Sequence, residues 1–142
     1  MLIELRPEFV AKHWDEIKEQ VGRALPPIGV NRGISMVRLL ERIMAGFVIC
    51  WAVVGEDKLV QGFLITEHLE DYCTGTRTLL LYALAGDFTQ DVWASGAEQL
   101  LAYAKGTGCA YISAYTKNRA ALMEARMLGF DTDYHFIYRE VH

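Results

Sequence analysis

Residues 118–130 read Asn118-Arg-Ala-Ala121-Leu-Met-Glu-Ala125-Arg-Met-Leu128-Gly129-Phe130. Asparagine is a strong helix N-cap, because its side-chain oxygen takes amide hydrogens that a first turn leaves unpaired. The residues that follow favour helix, and glycine is the common stop just past a helix end. The stretch therefore predicts a helix over Arg119–Leu128, capped by Asn118 and ended by Gly129. Cys109–Tyr115 before it and Tyr134–Val141 after it are short runs rich in aromatic and β-branched residues, each a predicted strand.

Moving towards the N-terminus, Gly106-Thr-Gly108 closes a long helix whose inner face is Trp93, Ala97, Leu100, Leu101 and Ala104. It begins somewhere in Thr89–Ser95. Ser95-Gly-Ala-Glu98 would serve as a capping box, which leaves Gly86–Ala94 open between helix and loop. Thr78–Ala85 is a fully apolar strand, and Glu67–Thr76 reads as a polar loop. Phe47–Val54 and Leu59–Thr66 form a hairpin about the Gly55–Lys58 turn. At the start, Leu2–Leu5 is a strand. A helix from Pro7 carries Phe9, Val10, Trp14, Ile17, Val21 and Leu25 on one stripe and stops at Pro26-Pro27. A second helix, Met36–Ala45, follows with Ser35 as cap and Gly46 as terminator. The order is β-α-α-β-β-β-α-β-α-β. A β-α-β crossover is right-handed and so pairs its strands in parallel. The expected fold is α/β, with a mixed central sheet and helices on both faces.

The 142 residues suit a single domain, 1–142, and 52% of them are hydrophobic, enough for a core without staples. The net charge of −4, without a basic cluster, excludes nucleic acid as a partner. No apolar stretch is long enough to span a membrane, and Met1–Arg6 lacks the pattern of a signal peptide. Cys50, Cys73 and Cys109 are odd in number and scattered, which fits reduced thiols and a cytoplasmic location. Cys73 with His68 and Asp71 would offer one loop of mixed spacing and no second ligand pair, so no metal is expected.

The element order, together with Asn118-x-x-Ala121 and Leu128-Gly129-Phe130, resembles the GCN5-related N-acetyltransferases. The likeness covers the whole chain by topology and is sharpest in the last third. It implies acetyl-coenzyme A as co-substrate and an amine of a small molecule or protein as acceptor; no cysteine is placed with a histidine partner, so no covalent intermediate is expected. In this family the coenzyme wedges between the fourth and fifth strands, here Thr78–Ala85 and Cys109–Tyr115. Leu84, Ala85 and Gly86 would line the pantetheine arm, Gln90 would open the phosphate-binding turn, and Asn118 would contact the coenzyme.

Two departures stand out. The family's phosphate loop carries a glycine where Gln90-Asp-Val-Trp93-Ala-Ser95 has Trp93, and Asp87 and Asp91 lie close by with no lysine or arginine between Arg77 and Lys105. Carboxylates at a helix N-terminus occupy the positive end that a pyrophosphate would use. Secondly, the tyrosine that many relatives carry seven residues after the asparagine is here Ala125. Tyr115 is the nearest replacement acid, with Tyr82 as another. Glu67 and His68, where the third strand meets its loop, are candidate bases. Pro26–Ile34 and Glu67–Thr76 would line the acceptor cleft, Glu67, Glu70 and Asp71 suiting a cationic amine and Arg32 an acid. The same departures support an alternative: a catalytically degenerate member, of a kind that viruses also encode, with a binding or assembly role. The final strand as a free edge would also allow a homodimer.

Overall fold

The computed structural model describes residues 1–26 and 32–141. Its elements are β1 (Leu2–Glu4), α1 (Pro7–Lys12), α2 (Trp14–Ala24), α3 (Arg32–Met44), β2 (Val48–Val54), β3 (Val60–Asp71), β4 (Thr76–Gly86), α4 (Gln90–Gly106), β5 (Tyr111–Ala114) and α5 (Arg119–Met127). The sheet runs β1-β2-β3-β4-β5, with the first four strands antiparallel and β5 parallel to β4.

Alternation along the strands divides the core into two layers. On one face Val10, Ile17, Val21, Leu39 and Ile43 of α1–α3 pack on Val48, Cys50, Ile65 and Ala83. Burial there pushes the Cys50 thiol up to about 12, so it stays protonated. On the other face Val92, Leu100 and Ala104 of α4 pack on Leu2, Trp51, Val53, Leu64 and Leu79. Thr66, the buried polar residue of the core, accepts from Trp51 Nε1 at 2.9 Å. Helix α5 buries no residue in either layer.

Local chemistry sets the helix ends. Gly129 at φ +90° lets the Phe130 amide donate to Ala125 O and its own amide to Arg126 O, which closes α5 as a Schellman turn. Leu25, extended before Pro26, ends α2 one residue past Ala24.

Several boundaries correct the sequence reading. The expected single first helix breaks at His13, whose ring lies tilted against Phe9 at 4.3 Å between centroids. Ser35 lies inside α3, not at its cap. Glu67–Thr76 is largely strand, since β3 continues to Asp71 and β4 starts at Thr76, with cross-strand partners such as Glu70 and Arg77 replacing burial. The question over Gly86–Ala94 resolves into the end of β4 at Gly86, a loop over Asp87–Thr89 and helix from Gln90. Tyr134–Val141 forms no strand. A strand needs a ladder partner, and β5 spans only four residues.

Candidate functional site

Strands β4 and β5 pair from Thr78–Tyr111 to Leu81–Ala114 and no further. Beyond that apex β4 runs on through Tyr82–Gly86, while the chain after β5 turns away into α5. The cause lies in the register with β3. Thr66 pairs with Leu81 and Ile65 with Ala83, so Tyr82 is an extra residue in the ladder. A bulge of this kind bends its strand and raises the local twist, which here falls where the two strands part.

The free edge leads into the N-terminus of α4. Gly86 has φ +130°, and a side chain on Gly86 or on its partner Gly62 would meet backbone of the facing strand, so both glycines permit a close approach of β3 and β4. Thr89 caps α4 without a side-chain hydrogen bond, and the first amide answered within the helix is that of Trp93, to Thr89 O at 3.1 Å. The amides of Gln90, Asp91 and Val92 therefore stay open to an anion. The Trp93 ring stands edge-on to Phe88 at 5.4 Å and is half-buried, so it is turned onto the loop before the helix.

An acyl-coenzyme A group fits this geometry in two respects and not in a third. The unpaired edge of β4 suits an amide-bearing arm, and the open turn of α4 suits a phosphate. The exposed carboxylates of Asp87 and Asp91 at that turn oppose a pyrophosphate.

The sequence-nominated residues fall around this wedge as follows. Leu84 and Ala85 lie on the free stretch of β4 and Gly86 ends it. Gln90, exposed, opens α4. Asn118 Oδ1 accepts from the amides of Ala120 at 2.9 Å and Ala121 at 3.3 Å, which consumes the oxygen in capping and leaves the amide nitrogen without a bond among the described residues. Tyr115 is one residue past β5, half-buried at the mouth of the wedge, its ring 5.4 Å from Phe136. Tyr82, at the bulge, packs towards the α1–α3 layer.

Glu67 and His68 are not brought together. As neighbours on a strand they point to opposite faces. Glu67 is on the α3 side, opposite Leu80 and two residues from the bulge, and pairs with Arg42 Nη2 at 3.2 Å. His68 is on the α4 side, its Nε2 3.0 Å from Thr107 Oγ1. Thr107 Oγ1 also donates to Tyr103 O at 2.9 Å, so its one hydrogen is used and His68 Nε2 is the donor. Partial burial, then the Arg77 charge, hold His68 below its usual pKa. Thr107 follows the last residue of α4, a 17-residue helix, so His68 is about 25 Å along the axis from the open turn at Gln90.

The sequence did not single out Arg42, Phe88 or Thr107, because each acquires its role from a partner far along the chain. Among the described residues no three His, Cys, Asp or Glu side chains converge on a metal-sized site, and no helix is long and apolar enough to cross a membrane. Asp71 of the sequence-considered trio spends Oδ1 on the Cys73 and Thr74 amides. Of the acceptor segment Pro26–Ile34, residues 27–31 and the side chains of Arg32 and Ile34 lie outside the described residues. A surface cleft of ≈ 750 Å³, open to solvent, is at the paired end of β4 and β5 between Leu69, Tyr72, Thr78 and Tyr111, away from the wedge.

No protein-family model matches the chain, and no curated protein sequence does. Solved structures do match over nearly its full length. A ribosomal-protein-alanine N-acetyltransferase from Brucella melitensis biovar Abortus is similar at TM-score 0.70 and 12% identity, over 99% of each chain. An aminoglycoside acetyltransferase from an uncultured soil metagenomic sample is similar at 0.69 and 18%, over 100% of this chain and 98% of that one. A predicted acetyltransferase from Clostridium acetobutylicum, solved with acetyl-CoA, is similar at 0.68 and 12%, over 98% and 95%. At such identities the likeness speaks for architecture, and with the split sheet it shows that this chain has the GCN5-related N-acetyltransferase fold.

Proposed function

We propose that this protein transfers an acetyl group from acetyl-coenzyme A to an amine of a small molecule or protein. The observation that carries the reading is the wedge between β4 and β5, whose free edge Tyr82–Gly86 runs into the open first turn of α4. In this reading the edge at Leu84, Ala85 and Gly86 holds the pantetheine arm, the turn at Gln90 holds the pyrophosphate, and the amide nitrogen of Asn118 supports the coenzyme. Glu67, on the strand beside the apex, takes the proton of the incoming ammonium. Tyr115, at the mouth, supplies a proton to the departing thiolate. His68, held by Thr107 at the far end of α4, is left a structural role. Most of the rate comes from holding amine and thioester together. Binding is weakened by Asp87 and Asp91, and this same feature supports the second reading, a non-catalytic member of the fold with a binding or assembly role.

A thermal-shift titration with acetyl-coenzyme A separates the two. Ligand at 100 times its dissociation constant stabilises by about 2.7 kcal/mol, which raises the melting temperature of a domain this size by about 5 °C. An unchanged melting temperature at millimolar ligand overturns the transferase reading.

A further inference from the structure

We propose that the C-terminal face of this chain, α5 with residues 133–141, is the contact surface for a second copy of the same chain. Met123 and Met127 on α5 and Tyr134, Phe136, Ile137 and Tyr138 beyond it are each more than half exposed. The sheet ends at β5, with no strand beyond it among the described residues. These six side chains offer on the order of 1,000 Å² of largely apolar surface, where a standard stable interface takes about 800 Å² from each partner. Large apolar side chains left exposed in such number within one stretch of chain mark an interaction site.

Charge identifies the occupant. Residues 117–141 hold Lys117, Arg119, Arg126 and Arg139 against Glu124, Asp131, Asp133 and Glu140, a sum of zero in a chain whose total is −4. Two copies of an acidic chain repel one another less here than elsewhere, and a strongly charged foreign partner finds no matching field. The segment is also complementary to itself. Antiparallel pairing of 133–139 with its own copy about Phe136 sets Phe136 against Phe136 on the two-fold axis. Tyr134 then faces Tyr138 and Asp133 faces Arg139, each pair made twice. The three aromatic residues share one face of such a strand. Neither Asp133 nor Arg139 has an ionic partner among the described residues, and both are exposed.

Sedimentation equilibrium of the full chain tests this, with thermal melting of each variant as the check on folding. The expected result is a dimer at micromolar concentration. Arg139→Asp and Asp133→Arg each weaken it at least about tenfold, because each places like charges opposite one another twice. The double variant carrying both changes restores it, since the pairs are remade with their signs exchanged. A chain that stays monomeric overturns the proposal, as does a dimer that ignores the single changes or a double variant that fails to recover it.

Discussion

The two edges of the sheet are finished differently. At β1 the outward N–H and C=O of Leu2 are both answered by one side chain, Gln99 of α4, at 2.6 and 3.3 Å. The carboxamide mimics a neighbouring strand and covers that edge at Leu2. At β5 no side chain does this among the described residues, β4 parts from it beyond Leu81, and the helix that follows has no fully buried residue. The first edge is fixed to the scaffold. The second is left open, and both the wedge and the self-complementary face lie there.

The largest test of this contrast is mechanical. Ile65, at 0% exposure, lies beneath α1–α3, and Met127 on α5 is 71% exposed. Truncating a buried isoleucine to alanine costs about 2–5 kcal/mol, whereas a surface change is worth about 0.5 kcal/mol or less. In urea denaturation Ile65→Ala should lose that larger amount and Met127→Ala almost nothing. Comparable losses would mean that α5 is docked and the open edge is not open.

The same contrast separates what was legible in the sequence from what was not. The stop at Gly129 and the cap at Asn118 were readable because each is a local device, complete within a few residues. The hairpin arm of β3 and β4 was not, since Glu67–Asp71 is held by cross-strand partners and carries polar residues on both faces. Had the strand been extended through it, simple alternation would have placed Glu67 and His68 on opposite faces. The tail from Tyr134 to Val141 has the composition of a strand, but strand formation depends on a neighbour that composition does not specify. The wedge was expected only through the family resemblance. Its cause, the extra residue Tyr82, becomes visible only once the register is known.

Removing the device at the closed edge should cost less than a core truncation. Gln99→Ala leaves the Leu2 N–H and C=O to water, and two net hydrogen bonds are worth about 1–2 kcal/mol. The prediction is a loss of that size together with faster amide exchange at Leu2. No change in either would show that β2 alone holds β1.

At the open edge the expected effects are smaller and opposed. Asp91 sits in the first turn of α4, where a carboxylate stabilises the helix by about 0.3–1 kcal/mol and repels a bound pyrophosphate by about 1 kcal/mol. Asp91→Asn should therefore tighten acetyl-coenzyme A roughly fivefold while lowering stability slightly, as read by calorimetric titration and melting. Unchanged affinity would place the phosphates elsewhere than on this turn.

The smallest effect separates His68 from the wedge. Its pKa is lowered from 6.5 by partial burial and then by Arg77, so the folded protein prefers the neutral ring more than the unfolded chain does. Above pH 6.5 both states are neutral and the His68 contribution is complete. As pH falls below 6.5 the unfolded chain takes up the proton first, so stability declines, and the decline ends once the folded ring is protonated as well. Donation from Nε2 to Thr107 survives protonation, and the guanidinium of Arg77, itself bonded to Thr107 O at 2.9 Å, remains nearby as a like charge. Urea midpoints measured from pH 7.5 down to 5 should fall modestly, and His68→Gln should flatten that slope. If acetyl transfer were then measured, its pH profile should be unmoved by His68→Gln and altered by Glu67→Gln. A profile that follows His68 would return the base to the α4 face and move the reacting atoms away from the side of the sheet that carries Glu67.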